Sequence, residues 1–69
     1  REGRFEEALP VGAIAAEKFP GSGPVHAFYG LAAASAGQAG LARREIERSL
    51  AINPNQPMLE RALNQLPPG

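Results

Sequence analysis

The chain lacks several residue types that particular structures and chemistries require. Cysteine, threonine, tryptophan and aspartate are absent, and histidine, lysine and tyrosine occur once each among 69 residues. Without cysteine, neither a disulfide nor a thiolate metal site can form. Because nucleophiles, bases and metal ligands are so scarce, we predict that the chain is not an enzyme and has no catalytic residue, metal site, cofactor or small-molecule substrate.

An excess of charge of one sign is also missing, since seven basic residues balance seven acidic ones. A neutral chain offers no electrostatic footprint for nucleic acid or for an anionic membrane. The longest stretch without a charged residue, 19–42, is broken by two prolines and two glycines at positions 20–24. A membrane span does not fit there. We therefore predict neither a nucleic-acid nor a membrane partner.

Alanine is abundant: the chain has thirteen alanines but only five valines and isoleucines together. This composition favours helices over strands. Prolines and glycines at 20–24, 37, 53–57 and 67–69 divide the chain into four segments of helical character, namely 5–18, 24–36, 40–52 and 57–66. We expect the first helix to continue, kinked, through Pro10, and expect Ser22 and Asn55 to cap the second and fourth.

The third segment has two contrasting faces. Small and apolar residues recur on one of them, at Leu41, Ala42, Ile46, Ser49 and Leu50. The other carries Arg43, Arg44, Glu45, Glu47 and Arg48, which we expect to be solvated, with an Arg43–Glu47 pair one turn apart. The single histidine, His26, is expected to be a packing residue, because no aspartate or cysteine lies near it in the sequence.

Special residues recur at a spacing of 34 positions. Gly3, Ala8 and Pro20 reappear as Gly37, Ala42 and Pro54. Three identities are about what this composition gives by chance, but they fall where a helix-turn-helix repeat needs a turn, a small residue and a terminal proline. With this spacing the chain resembles the tetratricopeptide repeat family. The positions that carry the resemblance are His26, Tyr29, Gly30, Ala33, Ala42, Ile46, Ser49 and Pro54.

The resemblance implies an all-α fold of antiparallel helix hairpins, a tetratricopeptide-like α-solenoid of about four helices. Residues 1–20 would be the second half of a repeat, 21–54 a complete repeat, and 55–69 a capping helix or the start of the next. Gly30 and Ala42 would be the close-contact positions of the hairpin. His26, Ala33 and Gly12 depart from the family's preferences, so we expect loose packing around Gly12. Another α-helical repeat or a small helical bundle remains the alternative.

In the resembled family, the first helices of successive repeats line a concave groove that receives a peptide. The matching positions here are Pro24 and Ala62 and, as candidate groove residues, Ala27, Phe28, Leu31, Ala34, Ser35, Met58, Arg61 and Gln65. The groove positions of the complete repeat hold no basic residue, which disfavours the carboxylate clamp of the chaperone-binding members. We expect a scaffold that binds a partner peptide or helix in a mainly apolar groove. The alternative is a structural spacer or self-associating module without a groove ligand.

The first helix offers a further expectation. Phe5, Ala8, Leu9 and Ala15 give it an apolar face that the half-repeat would leave uncovered. We therefore expect the chain to be a piece of a longer solenoid and, in isolation, to be marginally stable or to form a homodimer through this face.

Overall fold

Four helices account for most of the chain. The structure is a computed structural model that describes the backbone of residues 2–67 and the side chains of residues 7–67. Helix α1 spans Glu2–Lys18, α2 Gly23–Ser35, α3 Ala39–Ile52 and α4 Pro57–Gln65. No strand occurs within residues 2–67. The all-α class and the four helices are thus confirmed, whereas the expected place of Phe5 on an apolar face lies outside the described side chains.

The helix ends lie near the prolines and glycines that divide the sequence into segments. Helix α1 continues through Pro10, and Ser22 caps α2 by accepting a hydrogen bond from the Val25 N–H at 3.3 Å. Helix α2 ends at Ser35, and Gly37 follows its cap residue Ala36 with a φ of 82°, in the left-handed region that glycine tolerates best. The Gly37 N–H donates to Ala34 O and the Gln38 N–H to Ala33 O, which is the bonding pattern of a Schellman motif.

The expected capping of α4 by Asn55 is wrong. The cap residue is Gln56, and no side chain accepts a capping hydrogen bond there. The amide of Gln56 turns back instead and donates to Ser49 O at 3.1 Å, Ser49 Oγ at 3.1 Å and Asn53 O at 2.6 Å. The buried Ser49 hydroxyl in turn donates to Gly23 O at 2.8 Å. One serine therefore joins the ends of α2 and α3 to the segment that leads into α4.

Helix α2 packs against both α1 and α3, and α4 packs against α3. The α2–α3 seam is close, because a Cβ added to Gly30 would lie 2.8 Å from Ile46 Cγ1 and 3.3 Å from Ala42 O. Both Gly30 and Ala42 are buried, so the predicted close-contact positions are confirmed. The apolar core consists of Ala32, Ala33, Ala42, Ile46 and Leu59.

The loose packing expected at Gly12 is not found. Gly12 is buried, and a Cβ added to it would lie 2.8 Å from Tyr29 Cδ1. The ring of Tyr29 thus occupies the space that a larger residue at position 12 would need. The first helix pair is held by a large residue on α2 against a glycine on α1, so the packing here is close and the expectation of loose packing is wrong.

Candidate interaction site

The predicted groove positions on α2 fall into two groups. Pro24, Phe28 and Ser35 are exposed, with Phe28 retaining 46% of its surface. Ala27, Leu31 and Ala34 are half-buried. The opposite side of α2, which contains His26, Gly30 and Ala33, is buried against the neighbouring helices. Phe28 therefore stands in the middle of a solvent-facing stripe rather than in the hairpin seam.

Of the predicted positions on α4, Met58, Arg61 and Gln65 are exposed, whereas Ala62 is half-buried. Met58 keeps 67% of its surface, and Arg61 and Gln65 are exposed one and two turns further along the same face. Leu59 is buried at 2% and anchors the opposite face of the helix. The two sets of residues thus present exposed apolar side chains, Phe28 and Met58, with a cation and an amide beside Met58. We name the eight predicted residues 27, 28, 31, 34, 35, 58, 61 and 65 the groove face; they lie on two helices, α2 and α4, that each pack against α3.

Sequence reasoning missed a buried polar pair at the centre of the hairpin. His26 is 2% exposed and Glu45 1%, and Nδ1 of the histidine lies 2.6 Å from Oε1 of the glutamate. The expectation that Glu45 belongs to a solvated face is therefore wrong. Helix α3 is rotated so that Glu45 lies inward beside Ala42 and Ile46.

The hydrogen-bond partners of His26 define the placement of its protons. Nε2 lies 2.7 Å from Pro20 O, which can only accept, so Nε2 carries a hydrogen and donates it. The short contact between Nδ1 and Oε1 joins the imidazole to the carboxyl group. Both ring nitrogens of His26 are engaged and the ring is buried, as expected for a packing residue. It joins the α1–α2 loop to α3.

Two arginines contact the second oxygen of Glu45. Arg44 Nε lies 3.4 Å and Arg48 Nη1 3.3 Å from Oε2, and both arginine side chains are more than half exposed. Arg43 points elsewhere and donates to Pro67 O at 2.8 Å. The expected Arg43–Glu47 pair is not among the ion pairs formed by the described side chains.

A cleft of about 460 Å³ opens between α1 and α3 beside these arginines. Its residues come from all of the first three helices and from the loop between α1 and α2; they are Ala13, Ile14, Ala16, Glu17, Pro20, Tyr29, Arg44, Glu45 and Arg48. Sequence reasoning noted the arginines but expected them to lie on a solvated face. Nothing in the local sequence indicates that Glu45 lies inward, because its partner, His26, is 19 residues away.

The described part of the chain contains neither a cluster of metal-ligating side chains nor a membrane-spanning helix. Within residues 7–67, no three histidine, cysteine, aspartate or glutamate side chains stand close enough to hold a metal ion. Among the described helices, none combines the length and hydrophobicity needed to cross a bilayer. No family model matches the chain, and neither the curated proteins nor the solved structures contain a match to it.

Proposed function

We propose that the chain is a non-catalytic tetratricopeptide-like helical hairpin that binds a protein segment on its groove face. The family assignment rests on the position of the special residues: Gly30 and Ala42 at the seam, and Gly37 at the turn. The order of α1, α2, α3 and α4, with α2 packed on both of its sequence neighbours, fits a stack of antiparallel hairpins.

The observation that carries the binding proposal is the exposure of Phe28. A phenylalanine in the middle of a thirteen-residue helix retains 46% of its surface, while the alanines around the seam are buried. Aromatic residues are common energetic anchors in protein interfaces. Together with Met58, Phe28 suits an apolar or amphipathic segment, and Arg61 and Gln65 provide a polar edge.

Selection from a phage library of random dodecapeptides tests this proposal. The best peptides are synthesised, and their affinities are measured for the wild-type chain, Phe28→Asp and the control Glu47→Lys. A carboxylate at position 28 would be desolvated by an apolar partner, so Phe28→Asp should weaken binding about tenfold or more. Glu47 is exposed on α3, outside the groove face, so its change should leave affinity nearly the same. Equal affinities for Phe28→Asp and wild type would refute the groove face as the binding site.

A second candidate function, a spacer or self-associating module, is favoured by a different feature. Val11 and Ile14 on α1 retain 59% and 57% of their surfaces. Around the helix axis, Val11 lies about 100° and Ile14 about 160° from the buried Gly12. A second copy that covers these two residues would remove exposed branched side chains from water.

A further inference from the structure

The cleft between α1 and α3 combines apolar walls with two cations. Ala13, Ile14 and Ala16 form the α1 side, Tyr29 lies between the helices, and Arg44 and Arg48 line the α3 side. Its volume of about 460 Å³ falls within the range of ligand pockets, which hold one or a few side chains of a partner. The groove face does not account for any of these residues.

The arginines retain hydrogen-bonding capacity beyond Glu45. A guanidinium has five N–H donors, and the contacts of Arg44 and Arg48 with Oε2 use one nitrogen each at the long distances of 3.4 and 3.3 Å. Their side chains are 61% and 57% exposed, so the remaining donors face solvent. Two cations share a single oxygen atom, which leaves both able to bind a second carboxylate.

The other carboxylate oxygen is already engaged inside the protein. Oε1 of Glu45 is bonded to His26 Nδ1 at 2.6 Å and cannot turn toward the arginines without breaking the buried pair. Glu17 is the other acid in the cleft, on the α1 side. It forms no ion pair within the described side chains. Glu17 is therefore not a fixed partner of the arginines, but it would compete with an incoming anion for Arg44 and Arg48.

We propose that this cleft is a second binding site, which takes a peptide segment with an apolar side chain next to an aspartate or glutamate. The apolar side chain enters between Ala13, Ala16 and Tyr29, and the acidic one binds Arg44 and Arg48. The site is separate from the groove face, because adjacent residues of a helix such as Phe28 and Tyr29 point about 100° apart. The proposal for this site does not depend on binding at Phe28.

The test uses the Phe28→Asp chain as the target, so that the groove face is blocked. A phage library of random dodecapeptides is selected against it, and the enriched peptides are synthesised together with forms in which each acidic residue becomes its amide. The enriched sequences should carry aspartate or glutamate next to an apolar residue. The amide forms should bind about tenfold more weakly, because they lose charge-assisted hydrogen bonds.

Three variants then locate the peptide. Arg44→Gln combined with Arg48→Gln should lower affinity about tenfold, whereas Arg61→Gln, an equal loss of charge on α4, should hardly change it. Glu17→Gln should raise affinity about two- to fivefold by removing the competing carboxylate. Because the double change also removes partners of Glu45, amide spectra of the unsubstituted chain provide a second readout. Added peptide should shift the signals of Ala13, Ala16 and Tyr29.

Several results would overturn the proposal. Enriched peptides without acidic residues, or no enriched peptides, would show that the cleft does not select this chemistry. Equal losses with Arg61→Gln and with the double arginine variant would point to general attraction of charge. If the occupant is a second copy of the chain, sedimentation would show self-association that disappears in the double arginine variant, and peptide binding would be absent.

Discussion

At the scale of single residues, the position of Glu45 has the largest consequence. A carboxyl group that is 1% exposed loses its hydration and needs partners to offset that loss. Here His26, Arg44 and Arg48 surround both oxygens. Within the described side chains, no buried polar atom is left without a partner. Buried pairs of this kind add little net stability but are costly to break, and they fix how two helices are rotated against each other.

The first prediction compares two glutamates on the same helix. Glu45→Gln keeps the shape of the side chain but removes its charge, so we expect a loss of about 1–2 kcal/mol in the free energy of unfolding. Glu47→Gln removes the same charge from an exposed position and should leave stability nearly unchanged. Urea unfolding followed by circular dichroism measures both. Equal effects of the two substitutions would contradict the buried pair.

At the scale of helices, the close α2–α3 seam depends on Gly30, which has no side chain. Gly30 allows Ile46 Cγ1 to approach to 2.8 Å of the place where a Cβ would stand, and the Ile46 backbone nitrogen to 3.1 Å. A methyl group there would displace backbone as well as side chain. At Gly40, near the start of α3, no atom lies within 4 Å of the place where a Cβ would stand. Close packing thus requires a glycine at position 30, whereas no neighbouring atom requires one at position 40.

The second prediction follows from this contrast. Gly30→Ala should destabilise the chain by about 1–3 kcal/mol through overpacking of the seam. Gly40→Ala should stabilise it by about 0.5 kcal/mol, because alanine loses less backbone freedom in a helix. Thermal unfolding of the two variants beside the parent chain measures both signs. A Gly30→Ala variant as stable as the parent would mean that α2 and α3 do not meet at this position.

The helix boundaries could be predicted from the sequence because their signals are local. Ser22 and Gly37 act within a few residues of themselves, so the cap and the Schellman turn are readable without the fold. The close approach at Gly30 was implied by the resemblance to the tetratricopeptide repeat family. Glu45 and Tyr29 could not be placed in this way, since their surroundings depend on residues 19 and 17 positions away, His26 and Gly12. The cleft was missed for the same reason.

At the scale of the whole molecule, the core is small. Among the described side chains, the buried apolar ones are three alanines, Ile46 and Leu59, and each of the two large ones is worth about 1.5–3 kcal/mol on burial. At typical stabilities per residue, a chain of this length has an unfolding free energy of about 3–10 kcal/mol. An alanine-rich core places this chain toward the lower end of that range. Additional burial of exposed residues would therefore change its stability noticeably.

The last prediction concerns Val11, which is 59% exposed on α1 and lies outside the cleft lining. We expect the chain to self-associate through this side of α1, so that its sedimentation coefficient and its melting temperature rise with concentration. Val11→Lys should abolish both dependences, because a lysine ammonium would be desolvated in the contact. Ile52→Lys is the matched control, since Ile52 is 47% exposed at the end of α3 and should retain both dependences. A parent chain that remains monomeric at every concentration, or a Val11→Lys chain that associates like the parent, would exclude α1 as the contact.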